Sequence, residues 1–132
     1  MNKLKIGITG SKLYENKLKI KEFIFNLRKQ FPGDIEIVSL GESFGADKYA
    51  KRFALEFGYQ YRELNLPHTN RNLYSLMNEG WHGKQYSPKN RFIRDKVFMG
   101  YVDVCAVFGQ DQKTDDIIKQ LHKLKKKIVV IV

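Results

Sequence analysis

Residues 4–9, Leu-Lys-Ile-Gly-Ile-Thr, form a short run rich in β-branched side chains that breaks at Gly10-Ser11. This predicts a strand opening into a tight turn. From Lys17 the period changes: Leu18, Ile20, Phe23, Ile24, Leu27 and Phe31 fall near one helical face, and Pro32-Gly33 ends the helix. Residues 35–40 read as a second strand, and residues 41–45 as a turn bounded by glycines. Tyr49, Ala50, Phe53, Ala54 and Phe57 then recur at spacings of three and four, with Gly58 as the stop. Residues 59–64 give a third strand, and residues 65–87 a long polar connection that holds Leu73, Tyr74, Leu76, Met77 and Trp81. A structureless connection beyond about 12–15 residues is usually functional or carries structure of its own. Ser87-Pro88 predicts the cap and first turn of a third helix that runs to Gly100. Residues 102–108 are the most continuously apolar strand, expected to be buried on both faces. Thr114-Asp115-Asp116 is expected to start a last helix, closed by Lys123, Lys125, Lys126 and Lys127, and residues 128–132 a fifth strand.

Strands alternating with helices predict an α/β Rossmann-like fold, with a doubly wound parallel five-stranded sheet in the order 3-2-1-4-5. The whole chain, 1–132, is expected to be one such domain with an insert at 65–87. Ligands in such sheets bind at the carboxyl ends of the strands flanking the point where the order reverses. That singles out the loops at 10–16, 41–46, 65–90 and 109–114.

Composition narrows the class. With 42% hydrophobic and 29% charged residues, the chain has enough apolar surface to bury a core, which excludes disorder. No window approaches the roughly 18 apolar residues of a membrane helix and the start lacks a signal-peptide core, so the reading is a cytoplasmic, non-membrane protein. Cys105, the single cysteine, excludes a disulfide framework and a cysteine zinc cluster. His68, His82 and His122 share no ligand spacing, so neither a metal nor a resident cofactor is expected. The net charge of +10 favours phosphate-bearing partners, nucleotides or nucleic acid, without choosing between them.

In the first loop, Gly10 permits close backbone approach, and Ser11 with the adjacent amides suits a phosphate or a ribose hydroxyl; a plain turn explains them equally well. Neither a G-x-G-x-x-G spacing nor a P-loop is present. The second loop, Gly41-Glu42-Ser43-Phe44-Gly45-Ala46-Asp47, sets two glycines four apart before a helix. Ser43, Gly45 and Ala46 would face a ligand there. Asp47 is either an acid stabilising the helix dipole or a carboxylate for ribose hydroxyls. Arg91 and Arg94 share a face near the start of the third helix, where cations oppose the dipole, so helix stability does not explain them. A forked guanidinium exposed there suits phosphate. In the fourth loop, Gly109 and Thr114 complete the candidate set, with Thr114 also placed to cap the last helix.

Taken together, Gly10-Ser11, the Gly41-x-x-x-Gly45-Ala46-Asp47 turn, Arg94-Asp95 followed by Met99 and Asp103, and Gly109 to Thr114 resemble the SMF/DprA–LOG (SLOG) superfamily. The likeness is to its small YspA/YpsA-like members, found in bacteria and phages. It implies a Rossmann-like domain that binds nucleotides or nucleotide-derived ligands. Some members bind single-stranded DNA, and the LOG branch hydrolyses nucleoside monophosphates at the N-glycosidic bond. That branch carries P-G-G-x-G-T-x-x-E after the fourth strand, whereas here residues 109–114 lack the glycine pair and Ile117 stands in the glutamate's place.

The expected function is therefore binding of a small molecule, ADP-ribose-like or a nucleoside phosphate, for sensing or sequestration. Tyr74, Trp81 and Tyr86 of the insert would either fold over a base as a lid or pack on the sheet. One rival is N-glycosidic hydrolysis using Asp47, Asp115 or Asp116. The other is a single-stranded nucleic-acid groove built on Lys84, Lys89, Arg91 and Arg94. A homo-oligomer stays open.

Overall fold

Alternation along the strands sorts the apolar residues of this chain onto two faces of one sheet. The computed structural model describes residues 3–69 and 71–131. Its strands are β1 (Lys3–Gly10), β2 (Asp34–Ser39), β3 (Gln60–Glu63), β4 (Val104–Phe108) and β5 (Lys127–Ile131). All pair in parallel, in the order β3-β2-β1-β4-β5, as the alternation of strands and helices predicts. On one face Ile6, Ile8, Ile35, Ile37, Ala106 and Phe108 pack against α1 (Lys17–Gln30) and α2 (Gly45–Glu56). On the other, Val38, Leu40, Cys105 and Val107 pack against α3 (Pro88–Tyr101) and α4 (Gln112–Lys123). Each fully buried Ile, Leu or Phe in these layers contributes about 1.5–3 kcal/mol relative to exposure. Among the described residues, no helix is long and apolar enough to cross a membrane.

Several boundaries and exposures differ from the sequence expectation, each for a local reason. Leu18 is exposed because it lies two positions, roughly 200° around the helix, from the buried Ile20. The fourth strand starts at Val104, because Asp103 is spent joining β1: its backbone N–H donates to the Lys5 carbonyl at 2.8 Å, and its carboxylate accepts from the Lys5 N–H at 2.9 Å. Ser87 holds the cap position of α3, but its hydroxyl caps nothing. The last helix begins at Gln112, earlier than expected. Its cap is Asp111, which accepts from the Thr114 N–H at 2.9 Å, while the Thr114 hydroxyl accepts from the Asp111 N–H at 2.8 Å. This is a reciprocal capping box, with Thr114 as its third helical residue rather than its cap. Val132, expected in the fifth strand, lies outside the described residues.

The insert is tied down rather than loose. Glu63, at the end of β3, accepts from Tyr61, Asn65 and Asn72 and pairs with Lys51 at 3.2 Å. Burial pushes the Glu63 carboxyl up, but these donors outweigh it and hold it below its ordinary value. Backbone bonds from Glu63 to Tyr74 and Leu76 lay the insert along β3. Trp81, in a single 3-10 turn over Glu79–Trp81, is buried and donates its indole N–H to the Asn65 carbonyl at 2.9 Å. Tyr74 packs edge-on against Tyr61 at 5.5 Å between ring centres. Of the three expected lid aromatics, only Tyr86 is exposed.

Candidate functional site

The carboxyl ends of β1, β2 and β4 meet where the strand order reverses, and the loops leaving them are packed on one another. The Ser11 N–H donates to the Phe108 carbonyl at 2.9 Å, and the Gly109 N–H to the Ile131 carbonyl at 2.8 Å. A Cβ on Gly10 would lie 2.2 Å from the Phe108 carbonyl oxygen and 2.9 Å from the Ala46 methyl. The glycine is therefore required by the protein's own backbone. Gly45 has φ +63°, and a Cβ there would meet the Ser11 and Lys12 carbonyls at 2.8 and 2.9 Å, so it seats the first loop against the start of α2. Ser43 is exposed and Ala46 buried. Phe44 in the cap position of α2 offers no side-chain acceptor, so no side chain caps its amino end.

Charged side chains are concentrated beside these loops. Arg94 is 1% exposed, against the expectation of a surface arginine. It lies one turn before Phe98 on the inward face of α3, so it is carried into the core with that ring. Its Nη1 donates to the Leu40 carbonyl at 3.1 Å and to Glu42 Oε1 at 3.0 Å, and its Nε to Asp95 Oδ1 at 3.2 Å. Arg91, half-exposed, reaches the same Glu42 oxygen at 3.3 Å. The structure thus brings Arg91 and Arg94 together on Glu42, a residue that nothing in the local pattern marks, because its partners come from about fifty positions downstream.

Asp47, 4% exposed, sits at the inner edge of this group. Burial raises its carboxyl to about 7 and Glu42 adds to the rise, while Lys113, Arg94 and a hydrogen bond from the Leu40 backbone pull it down. Asp95 is also raised, chiefly by burial, against the pull of Arg94, Lys113 and Arg91. Lys113, in the first turn of α4, therefore acts on both acids, though nothing in the local sequence pattern marks it. Asp47 Oδ1, Arg94 Nη2 and Thr9 Oγ1 are buried with no hydrogen-bond partner. Buried polar atoms are usually paired, and an orphan costs about 1–3 kcal/mol, so Asp47 and Arg94, which also act on each other electrostatically, need an explanation.

The remaining candidates divide. Ser11 and Gly109 lie against each other at the ends of β1 and β4, a Cβ on Gly109 coming 3.1 Å from the Ser11 hydroxyl, whereas the Thr114 hydroxyl is engaged in the helix cap. Cys105 is buried in β4, and burial lifts its thiol to about 12, so it is an inert core residue. Asp115 and Asp116 are exposed on α4, Asp116 accepting from Gln112. Among the described residues, no three His, Cys, Asp or Glu side chains converge as a metal site.

Fold and crevice define a Rossmann-like α/β domain whose loops converge at a topological switch point. Solved structures of this shape include the molybdenum cofactor binding protein of Rippkaea orientalis, at a TM-score of 0.74 and 15% identity, over 98% of this chain and 77% of that one. The Moco carrier protein of Chlamydomonas reinhardtii superposes at a TM-score of 0.69 and 20% identity, over 98% and 76%. At such identities the likeness is one of fold. No family model and no curated protein sequence matches the chain.

Proposed function

We propose that this protein binds a small phosphate-bearing ligand, nucleotide-derived and either ADP-ribose-like or a nucleoside phosphate, at the carboxyl edge of β1, β2 and β4. The observation that carries the reading is the charge group of buried Asp47 and Arg94 with part-buried Glu42 and Asp95, in which Asp47 Oδ1 and Arg94 Nη2 are left without partners. Buried ion groups seldom add stability over apolar packing of the same volume, so their presence at a switch point favours a binding role. Half-exposed Arg91 and Lys113 would meet the phosphate. The Ser11 hydroxyl and the free amides around Ser43, Gly45 and Ala46 would add donors, and Gly109 lets the chain pass close. Arg94 acts behind them, fixing Glu42 and the Leu40 carbonyl in place. Placement in the SLOG superfamily fits the Gly45-Ala46-Asp47 turn and this geometry. The cofactor-binding descriptions of its structural neighbours support a small-molecule ligand.

The deciding experiment is titration calorimetry with AMP, ADP, ADP-ribose, NAD and the molybdenum cofactor. The expected result is saturable one-to-one binding of at least one of them. Binding only to oligonucleotides, with a steep salt dependence, would replace the small ligand by single-stranded nucleic acid. A second reading, hydrolysis of an N-glycosidic bond, draws on Asp47, whose carboxyl titrates near neutrality as a general acid–base must.

A further inference from the structure

We infer that the groove between α3 and α4 is a second arm of this site, taking an anionic group of the ligand remote from the phosphate held in the crevice. The inference rests on the reading above and extends it from a mononucleotide-sized ligand to an elongated one with two separated negative charges.

The groove has a volume of about 400 Å³, and three of its lining residues also belong to the charge group beside the strand ends. Arg91 lines it and also bonds Glu42; Asp95 lines it and also bonds Arg94. Lys113 lines it and acts electrostatically on Asp47. Further along stand Lys96, Lys119 and Lys123, none of which has a carboxylate within ion-pair distance among the described residues; they outnumber the one further acid of the lining, Asp116, which accepts from Gln112. Helix stability does not account for the cations at the mouth. α3 has no acid in its first turn and places Arg91 near its amino end, and α4 places Lys113 in its first turn, so both oppose the local dipole. The start of α4 is already held by Asp111 and Asp115, but no side chain caps α3, so an anion there would be favoured by the α3 dipole and by the Arg91 and Lys113 side chains.

Dimensions set the ligand class. Lys113 and Lys119 are six residues apart on α4, about 9 Å at 1.5 Å per residue, and Lys123 stands one turn further. That exceeds the spacing of the two phosphorus atoms in a diphosphate. A ligand that satisfies both ends carries its second phosphate on a sugar or a comparable spacer.

The test compares ADP-ribose with 2′-phospho-ADP-ribose, which differ by one phosphate remote from the diphosphate. Calorimetric titration of the full chain is expected to give at least tenfold tighter binding of the phosphorylated probe. In the double variant Lys119→Gln, Lys123→Gln that gain should vanish, while ADP-ribose affinity stays within twofold. Lys29→Gln, on α1 across the sheet, should change neither value. Equal binding of the two probes overturns the groove arm and leaves the crevice reading intact. A gain that survives the double substitution also overturns it, since the second phosphate is then held elsewhere. Binding of neither probe, nor of any small molecule in the wider titration, removes the crevice reading and the groove arm together.

Discussion

Arg94 Nη1 and Glu42 Oε1 meet at 3.0 Å although the residues are 52 positions apart, and this contact fastens α3 to the loop after β2. Both side chains are largely withdrawn from water, Arg94 almost completely. Removing Arg94 takes the donor from the Leu40 carbonyl and the ion-pair partner from Asp95, and leaves Glu42 only half-exposed Arg91. Arg94→Ala should therefore lower unfolding stability by about 3–5 kcal/mol, an effect of a broken buried pair rather than of a lost surface contact. Arg94→Lys should recover part of this, because one ammonium cannot serve Glu42, Asp95 and the Leu40 carbonyl in a fixed fork. Urea denaturation of the three proteins checks it. A loss under 1 kcal/mol in Arg94→Ala would mean that Glu42 finds solvent on its own.

The Asp47 carboxyl makes stability depend on pH in a direction opposite to that of a salt-bridged acid. Its value is about 7 folded against 3.8 in the open chain, so between these values the folded state holds the extra proton. Stability from this group is fully present below pH 4 and is lost as pH rises through 7. Asp47→Asn, which cannot ionise, should match the parent near pH 4 and exceed it by about 2–4 kcal/mol at pH 8. Parallel stability profiles for the two proteins between pH 4 and 8 would show that Asp47 stays ionised in the fold.

The topology was legible because each element carried its own period and its own stops: Gly10, Pro32-Gly33, Gly58 and Pro88 all punctuate the chain where elements end or begin. The crevice was legible as a set of loops for the same reason. The depth of a side chain was not. Arg94 reads like Arg91 in the sequence, and only the packing of Phe98 against the sheet decides that one is buried and the other half-exposed. Tyr74 and Trp81 read equally as lid aromatics or as residues packed on the sheet. They are seated by a network centred on Glu63 and Asn65, whose bonds span up to 16 positions. Non-local hydrogen bonds of this kind leave no periodic trace.

Catalysis should be absent or very weak on nucleoside monophosphates. The loop after β4 has no glycine pair, Ile117 is a core residue where the hydrolytic proteins that the sequence resembles carry glutamate, Asp115 is exposed, and Asp116 accepts from Gln112. Chromatography for free base after prolonged incubation with AMP should show none above an enzyme-free control. Multiple turnovers that disappear in Asp47→Asn, with ADP-ribose binding retained, would establish the hydrolytic reading instead.

Two glycines should respond in opposite directions to the same methyl group. Gly10 lies where β1 meets β4, and its added Cβ would stand 2.2 Å from the Phe108 carbonyl oxygen, a backbone atom that cannot rotate away. Gly10→Ala must push β1 from β4 or displace Ala46, so a loss above roughly 3 kcal/mol is expected, with the first loop displaced. Gly100 lies in the last turn of α3, where an added Cβ meets nothing within 4 Å and φ is not positive. There the methyl only restricts the unfolded chain and improves helix propensity, so Gly100→Ala should stabilise by about 0.5–1 kcal/mol. Thermal melts of both variants beside the parent read the contrast directly. A destabilised Gly100→Ala would mean that the far end of the α3–α4 groove is already filled, and a neutral Gly10→Ala that the β1–β4 register can slide.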